Sequence, residues 1–128
     1  MFRSRFTRTF TIIVFFTAGA LVCSAQGEDH RLEDVKQTAM EQFQNEHYAV
    51  ALTGFQKLIR NYPDDPIYKY YKGVCLVELD QSINEAAELL HFASGRDVPE
   101  DVNYYLGEAY RKNYDFKKAK KSYIRFDK

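Results

Sequence analysis

Small residues recur at one even spacing in this chain, and that spacing restricts the fold more than any other feature. Gly73 stands midway between Ala39 and Gly107 in the numbering, so the three mark two equal intervals. Each sits in a segment whose apolar residues return every three or four positions, as in an amphipathic helix. A glycine inside a helix costs about 1 kcal/mol against alanine, so its recurrence needs a packing reason: it lets a facing helix come close. A second series follows the first, Ala51, Ala86 and Ala119, with the earlier interval slightly longer than the later. One turn beyond each stands a large residue on the same helical face, Phe55, Leu90 and Tyr123. The unequal intervals place a small insertion in the middle turn.

The stretch from Asp101 to Phe126 shows the unit whole: Leu106 and Gly107, then Tyr110, a turn over Asn113 to Phe116, then Ala119 and Tyr123. In these residues, and in the interval between its small residues, the chain resembles the tetratricopeptide repeat family from Leu32 to Lys128. The resemblance implies an all-α fold: a right-handed superhelical solenoid of three helix-turn-helix hairpins, six helices in all. The repeats fall at about 32–65, 66–99 and 100–128. It also implies that the first helix of each hairpin lines the concave side.

Residues 1–25 read as a signal peptide. Arg3, Arg5 and Arg8 form a positive start, and Thr9 to Val22 is apolar apart from threonines, short for a bilayer span. Cys23-Ser24-Ala25 supplies small residues for cleavage after Ala25. The alternatives are an uncleaved anchor and a lipoprotein acylated at Cys23, for which Val22 is the wrong neighbour. Residues 26–31 are a polar lead-in. Helices are then expected from Leu32 to about Asn45, Tyr48 to Asn61, Pro66 to about Leu79 and Ile83 to Ala93, with Ser82 or Asn84 capping the last of these. Pro63 and Pro66 end the first hairpin, because proline cannot continue the backbone ladder. Gly95 and Pro99 end the second, and Asp101 opens the third.

With 45% hydrophobic and 16% aromatic residues in 128, the chain can bury one real core. Lys+Arg and Asp+Glu are both 18, so the whole chain gives no electrostatic argument for nucleic acid, and no such partner is expected. Without the leader and its arginines the balance turns mildly acidic, and Cys75 is the only cysteine left. An internal disulfide is then impossible, and Cys75, just past Gly73, is expected as a small buried hydrophobe rather than a reactive thiol.

Chemistry-bearing patterns are missing. His30, His47 and His91 show no metal-ligand spacing. There is no phosphate-cradling glycine loop, no GxSxG and no facing carboxylate pair, so neither an enzyme nor a cofactor is expected, nor a small-molecule substrate. Lys117, Lys118, Lys120 and Lys121 form the only basic run, read as a solvated outer face with membrane or nucleic-acid contact as the alternative. Lys36 matches one position of the carboxylate clamp known in one subfamily of these repeats, but Met40, Tyr71, Asp101 and Tyr105 do not fit it, so chaperone-tail binding is not expected.

The aromatics carry the functional expectation. Counting from the small residues, a groove would be lined by Lys36, Met40 and Phe43 in the first repeat, Tyr70, Val74 and Val77 in the second, and Tyr104, Glu108, Arg111 and Lys112 in the third. Apolar at one end and charged at the other, it suits a protein partner offering an extended peptide or a helix. The run Val102 to Tyr110, followed by Asn113-Tyr114-Asp115-Phe116, also resembles the N-terminal repeat region of exported bacterial envelope proteins that continue into β-propeller and OmpA-like domains. That resemblance implies a non-catalytic interaction scaffold in the periplasm, with or without an association with the outer membrane. The alternative is an assembly segment of an envelope complex, whose last repeat, ending in Ile124 and Phe126, packs on other domains or on itself.

Overall fold

Three helical hairpins follow one another along the chain in the computed structural model, which describes residues 19–128, with side chains from Gly27 onward. The six helices are α1 (Gly19–Gln44), α2 (Tyr48–Asn61), α3 (Pro66–Glu78), α4 (Ile83–Ala93), α5 (Val102–Lys112) and α6 (Phe116–Phe126). No strand occurs among the described residues. The fold is all-α and repetitive, as the even spacing of the small residues requires. Most of the leader, residues 1–18, lies outside the described residues. The expected polar lead-in, residues 26–31, is helical, because α1 runs through it without a break. Polar residues carry a solvated helix well, and Arg31 Nε donates to the Gly27 carbonyl one turn back at 3.1 Å. Among the described residues no helix is long and apolar enough to cross a membrane.

From Leu32 to Lys128 the chain forms one compact unit. Its hairpin turns share a device that repeats on the period of the small residues. Glu46, Asp80 and Tyr114, evenly spaced one repeat apart, adopt left-handed backbone with φ of 59°, 55° and 62°. In each turn the following N–H reaches back to an earlier carbonyl, His47 to Gln42, Gln81 to Leu76 and Asp115 to Tyr110, at 2.8 to 2.9 Å. The left-handed residue itself donates to a carbonyl nearer by, those of Phe43, Val77 and Arg111 in turn. These paired bonds are the Schellman motif, which satisfies the carbonyls orphaned at a helix end. The α3–α4 turn is longer than the other two by a single residue, the insertion expected from the alanine intervals. Ser82 absorbs it with φ of 43° and makes no side-chain cap, so the expected capping role of Ser82 is corrected.

Each hairpin closes at a small residue. A Cβ built on Gly73 would stand 2.7 Å from Leu90 Cγ, and one on Gly107 2.5 Å from the Tyr123 ring. In the first hairpin Ala39 already has its Cβ, and the facing position is therefore Gly54, whose own Cβ would lie 2.6 Å from it. Hairpins then stack: α3 packs on α2, and α5 packs on both α4 and α3. Phe55, Leu58, Val74, Cys75, Leu90 and Leu106 fill the shared interior. Asp65 caps α3 by accepting from Ile67 N–H at 2.8 Å, next to Pro66 in the first turn. Gly95 (φ 80°) lies just beyond the end of α4.

Candidate functional site

An aromatic seam runs through the stacked hairpins. Phe43 meets Tyr48, Tyr71 and Phe55 at ring-centroid distances of 5.6, 4.8 and 6.2 Å. Tyr71 stacks on Phe55 at 5.1 Å with planes only 11° apart, and touches Tyr70 edge-on at 4.9 Å. The expected inner positions of the second repeat are buried in the core, Tyr70 among them at the edge of this seam. Tyr70, Val74 and Val77 are 2%, 0% and 3% exposed, so they cannot line an open groove. The physical reason is that α3 is packed against α2, α4 and α5. The Tyr70 hydroxyl donates to Asp101 Oδ1 at 2.6 Å, just ahead of α5. Burial, that hydrogen bond and the nearby carboxylate all push the phenol pKa upward. Asp101 accordingly makes no side-chain cap of its own.

In the first repeat, Met40 and Phe43 are half-buried against the core, and Lys36 is held by Glu33 at 3.3 Å. The third repeat differs, because there the surface opens. Tyr104 is 41% exposed and is surrounded by Tyr105, Phe126 and Tyr123 at 5.3, 5.7 and 6.3 Å. Beside it Arg111 pairs with Glu108 at 2.7 Å, and the Tyr123 hydroxyl donates to the same carboxylate at 2.5 Å. The guanidinium, ahead of the phenol hydrogen bond, holds the Glu108 carboxyl below its usual range. Burial and Glu108 push the Tyr123 phenol up to about 12. Lys112 crosses to Asp80 at 3.0 Å. Glu108, Arg111 and Lys112, expected from the sequence as the charged end, have their charges paired within the chain.

Spacing alone does not place Tyr105, Tyr123 and Phe126 with Tyr104. It shows Tyr123 only as a packing residue, and Phe126 only as part of an exposed end. A further feature lies on the first hairpin: an open groove of about 510 Å³ between α1 and α2, lined by Asp34, Val35, Thr38, Ala39, Gln42, Ala49, Val50, Thr53 and Gly54. It exists because the Ala39–Gly54 crossing uses the smallest side chains.

Among the described residues no His, Cys, Asp and Glu cluster could hold a metal ion. His47 shares a hydrogen bond with Gln42 at 2.9 Å. Cys75 is fully buried, and burial pushes its thiol up to about 12, which leaves it protonated and unreactive at neutral pH.

The tetratricopeptide repeat family model matches residues 37–65, covering the end of α1, the first turn and α2. Repeats of this kind generally mediate protein–protein interaction. The turn and the crossing seen in that segment recur, one repeat further on each time, in the two hairpins beyond it. No curated protein and no solved structure matches the chain.

Proposed function

We propose that this chain is a non-catalytic protein-binding module of the bacterial cell envelope, gripping a peptide or a partner helix on the side formed by α1, α3 and α5. The observation that carries the reading is the Tyr104 patch: an accessible aromatic set in a ring of aromatics, with an exposed arginine alongside. Tyrosine, tryptophan and arginine are the residues in which binding energy concentrates once a partner dries them. Tyr104, Glu108, Arg111 and Lys112 form the near end of the surface, and Lys36, Met40 and Phe43 the far end. Tyr70, Val74 and Val77, buried in α3, take no direct part in that surface.

A photo-crosslinking residue at position 104 should capture a partner from envelope extract. With that partner purified, Tyr104→Ala combined with Arg111→Ala should weaken binding by about 10-fold or more. Unchanged affinity with intact helical circular dichroism would move the binding surface elsewhere.

The envelope location rests on residues 1–25, whose charge and apolar pattern suits export, and on the resemblance of Val102–Phe116 to envelope-protein repeats. Mass spectrometry of the protein recovered from a periplasmic fraction should find Gln26 as its first residue. A chain recovered from the cytoplasm with Met1 in place would refute export. A second reading, an assembly segment, draws on the exposure of Ile124 and Phe126 on the last hairpin, 48% and 45%.

A further inference from the structure

We infer that the outer flank of α6 docks on a bilayer surface rich in anionic phospholipid, its lysines meeting headgroup phosphates and an isoleucine set among them entering the headgroup layer. This inference is separate from the protein-binding reading, which uses α1, α3 and α5. Helix α6 carries Lys117, Lys118, Lys120, Lys121 and Arg125 and no acid, and it buries only Ala119 and Ser122. Lys117, Lys121 and Ile124 fall at i, i+4 and i+7, on one face of the helix. Ile124 is 48% exposed in that row.

The row faces outward by the logic of the repeat. Counted from the alanine series, Lys117, Lys118, Lys121 and Ile124 take the places of Asn84, Glu85, Glu88 and His91 on α4, all of them exposed. The second hairpin has helices of another hairpin packed on either side, so exposure of these positions does not depend on standing at an end of the array. The charges of the row are also left open. Lys36, Lys72, Arg111 and Lys112 each meet a carboxylate within 3.3 Å. On α6, Lys118 pairs with Asp115 at 3.0 Å. Lys117, Lys120, Lys121 and Arg125 have no carboxylate in ion-pair reach among the described residues. At the N-terminal end of the row Tyr114 and Phe116 are 82% and 63% exposed, their rings edge to face at 6.3 Å.

Unpaired cations gathered on one flank attract anionic headgroups, and apolar and aromatic side chains beside them enter the headgroup layer. Nucleic acid suits the row less well. An aliphatic side chain in its middle has no base to stack on, and flexible lysines suit mobile headgroups where fixed phosphates favour the arginine fork. Glu85 and Glu88, on the same row of α4, are repelled by such a surface, so the contact is confined to the α6 end.

The chain contains no tryptophan, so Phe116→Trp in the full chain gives a single reporter whose emission answers to position 116 and not to the leader. On phosphatidylcholine vesicles in which phosphatidylglycerol makes up about a third of the lipid, that emission should move to the blue and be quenched by acyl chains brominated near the headgroup. On phosphatidylcholine alone it should do neither, and added salt should reverse both effects. On the reporter background, Lys117→Gln with Lys121→Gln should weaken partitioning onto the anionic vesicles by about 25-fold, roughly 5-fold for each lysine. Lys117→Arg with Lys121→Arg keeps the charge and should bind like the parent. Ile124→Ser should weaken partitioning by about 5-fold. A reporter that stays unshifted on anionic vesicles overturns the inference, as does a glutamine pair that binds like the parent. So does single-stranded DNA at the same phosphate concentration if it shifts the reporter equally, with or without Ile124→Ser, because the row is then a general polyanion patch.

Discussion

Gly107 shows how much of this fold hangs on single atoms. An alanine there would favour the helix by about 1 kcal/mol from propensity alone, yet its methyl would fall 2.5 to 2.9 Å from three atoms of the Tyr123 ring. The ring has little freedom to yield. Its hydroxyl is tied to Glu108, and the ring lies tilted against Tyr104. Overpacking of this kind costs roughly 1 to 3 kcal/mol, so Gly107→Ala is expected to lose about 1 kcal/mol net. Urea unfolding reads that loss directly. A variant more stable than the parent would mean that Tyr123 swings out without penalty. The crossing was legible in the sequence because Gly73 and Gly107 sit one period apart in helical segments, where only close packing explains a glycine. Its partner in the first hairpin, Gly54, was not. The period pointed to Ala39, and which of two facing helices gives up its side chain depends on the pair, not on either residue alone.

At the scale of the element, helix ends were readable where covalent chemistry enforces them. Pro63 and Pro66 separate α2 from α3, and Gly95 and Pro99 fall in the gap between α4 and α5. The hairpin turns were located by spacing, but their chemistry was hidden. Glu46, Asp80 and Tyr114 adopt a left-handed backbone that glycine would announce and these residues do not. That concealment yields a prediction. Left-handed backbone costs an ordinary residue roughly 1 to 2 kcal/mol, partly recovered by glycine's larger entropy loss on folding. Glu46 is the cleanest site, since Asp80 pairs with Lys112 and the Tyr114 ring meets Phe116. Glu46→Gly should therefore stabilise the protein by about 0.5 to 1 kcal/mol, seen as a melting temperature a few degrees higher. Glu46→Ala serves as the control and should give no such gain. An equal rise in both variants would assign the effect to lost charge.

For the whole molecule, the period identifies which positions turn inward but not which neighbour covers them. Tyr70, Val74 and Val77 have the spacing of a groove lining, and they are buried because α3 is packed among α2, α4 and α5. Tyr104, one period later, has the same spacing and stays accessible because no further helix follows it among the described residues to cover the last hairpin. In a repeat array each unit is stabilised mainly by its neighbours, so the coupling between hairpins sets how the array unfolds. Between the second and third hairpins, the exposed contacts of Lys112 with Asp80 and Asn113 with Asn84 contribute little. The buried Tyr70 hydroxyl on Asp101 contributes more, because hydrogen bonds to charged groups are worth about 1.5 to 3 kcal/mol. Tyr70→Phe keeps the ring in the seam and removes only that donor. Native-state hydrogen exchange should then show α5 and α6 losing protection at lower denaturant than α3 and α4, with a drop of about 1 to 2 kcal/mol confined to the last hairpin. A uniform drop across all the hairpins would instead show that the array opens as one cooperative block and that Asp101 adds no local link.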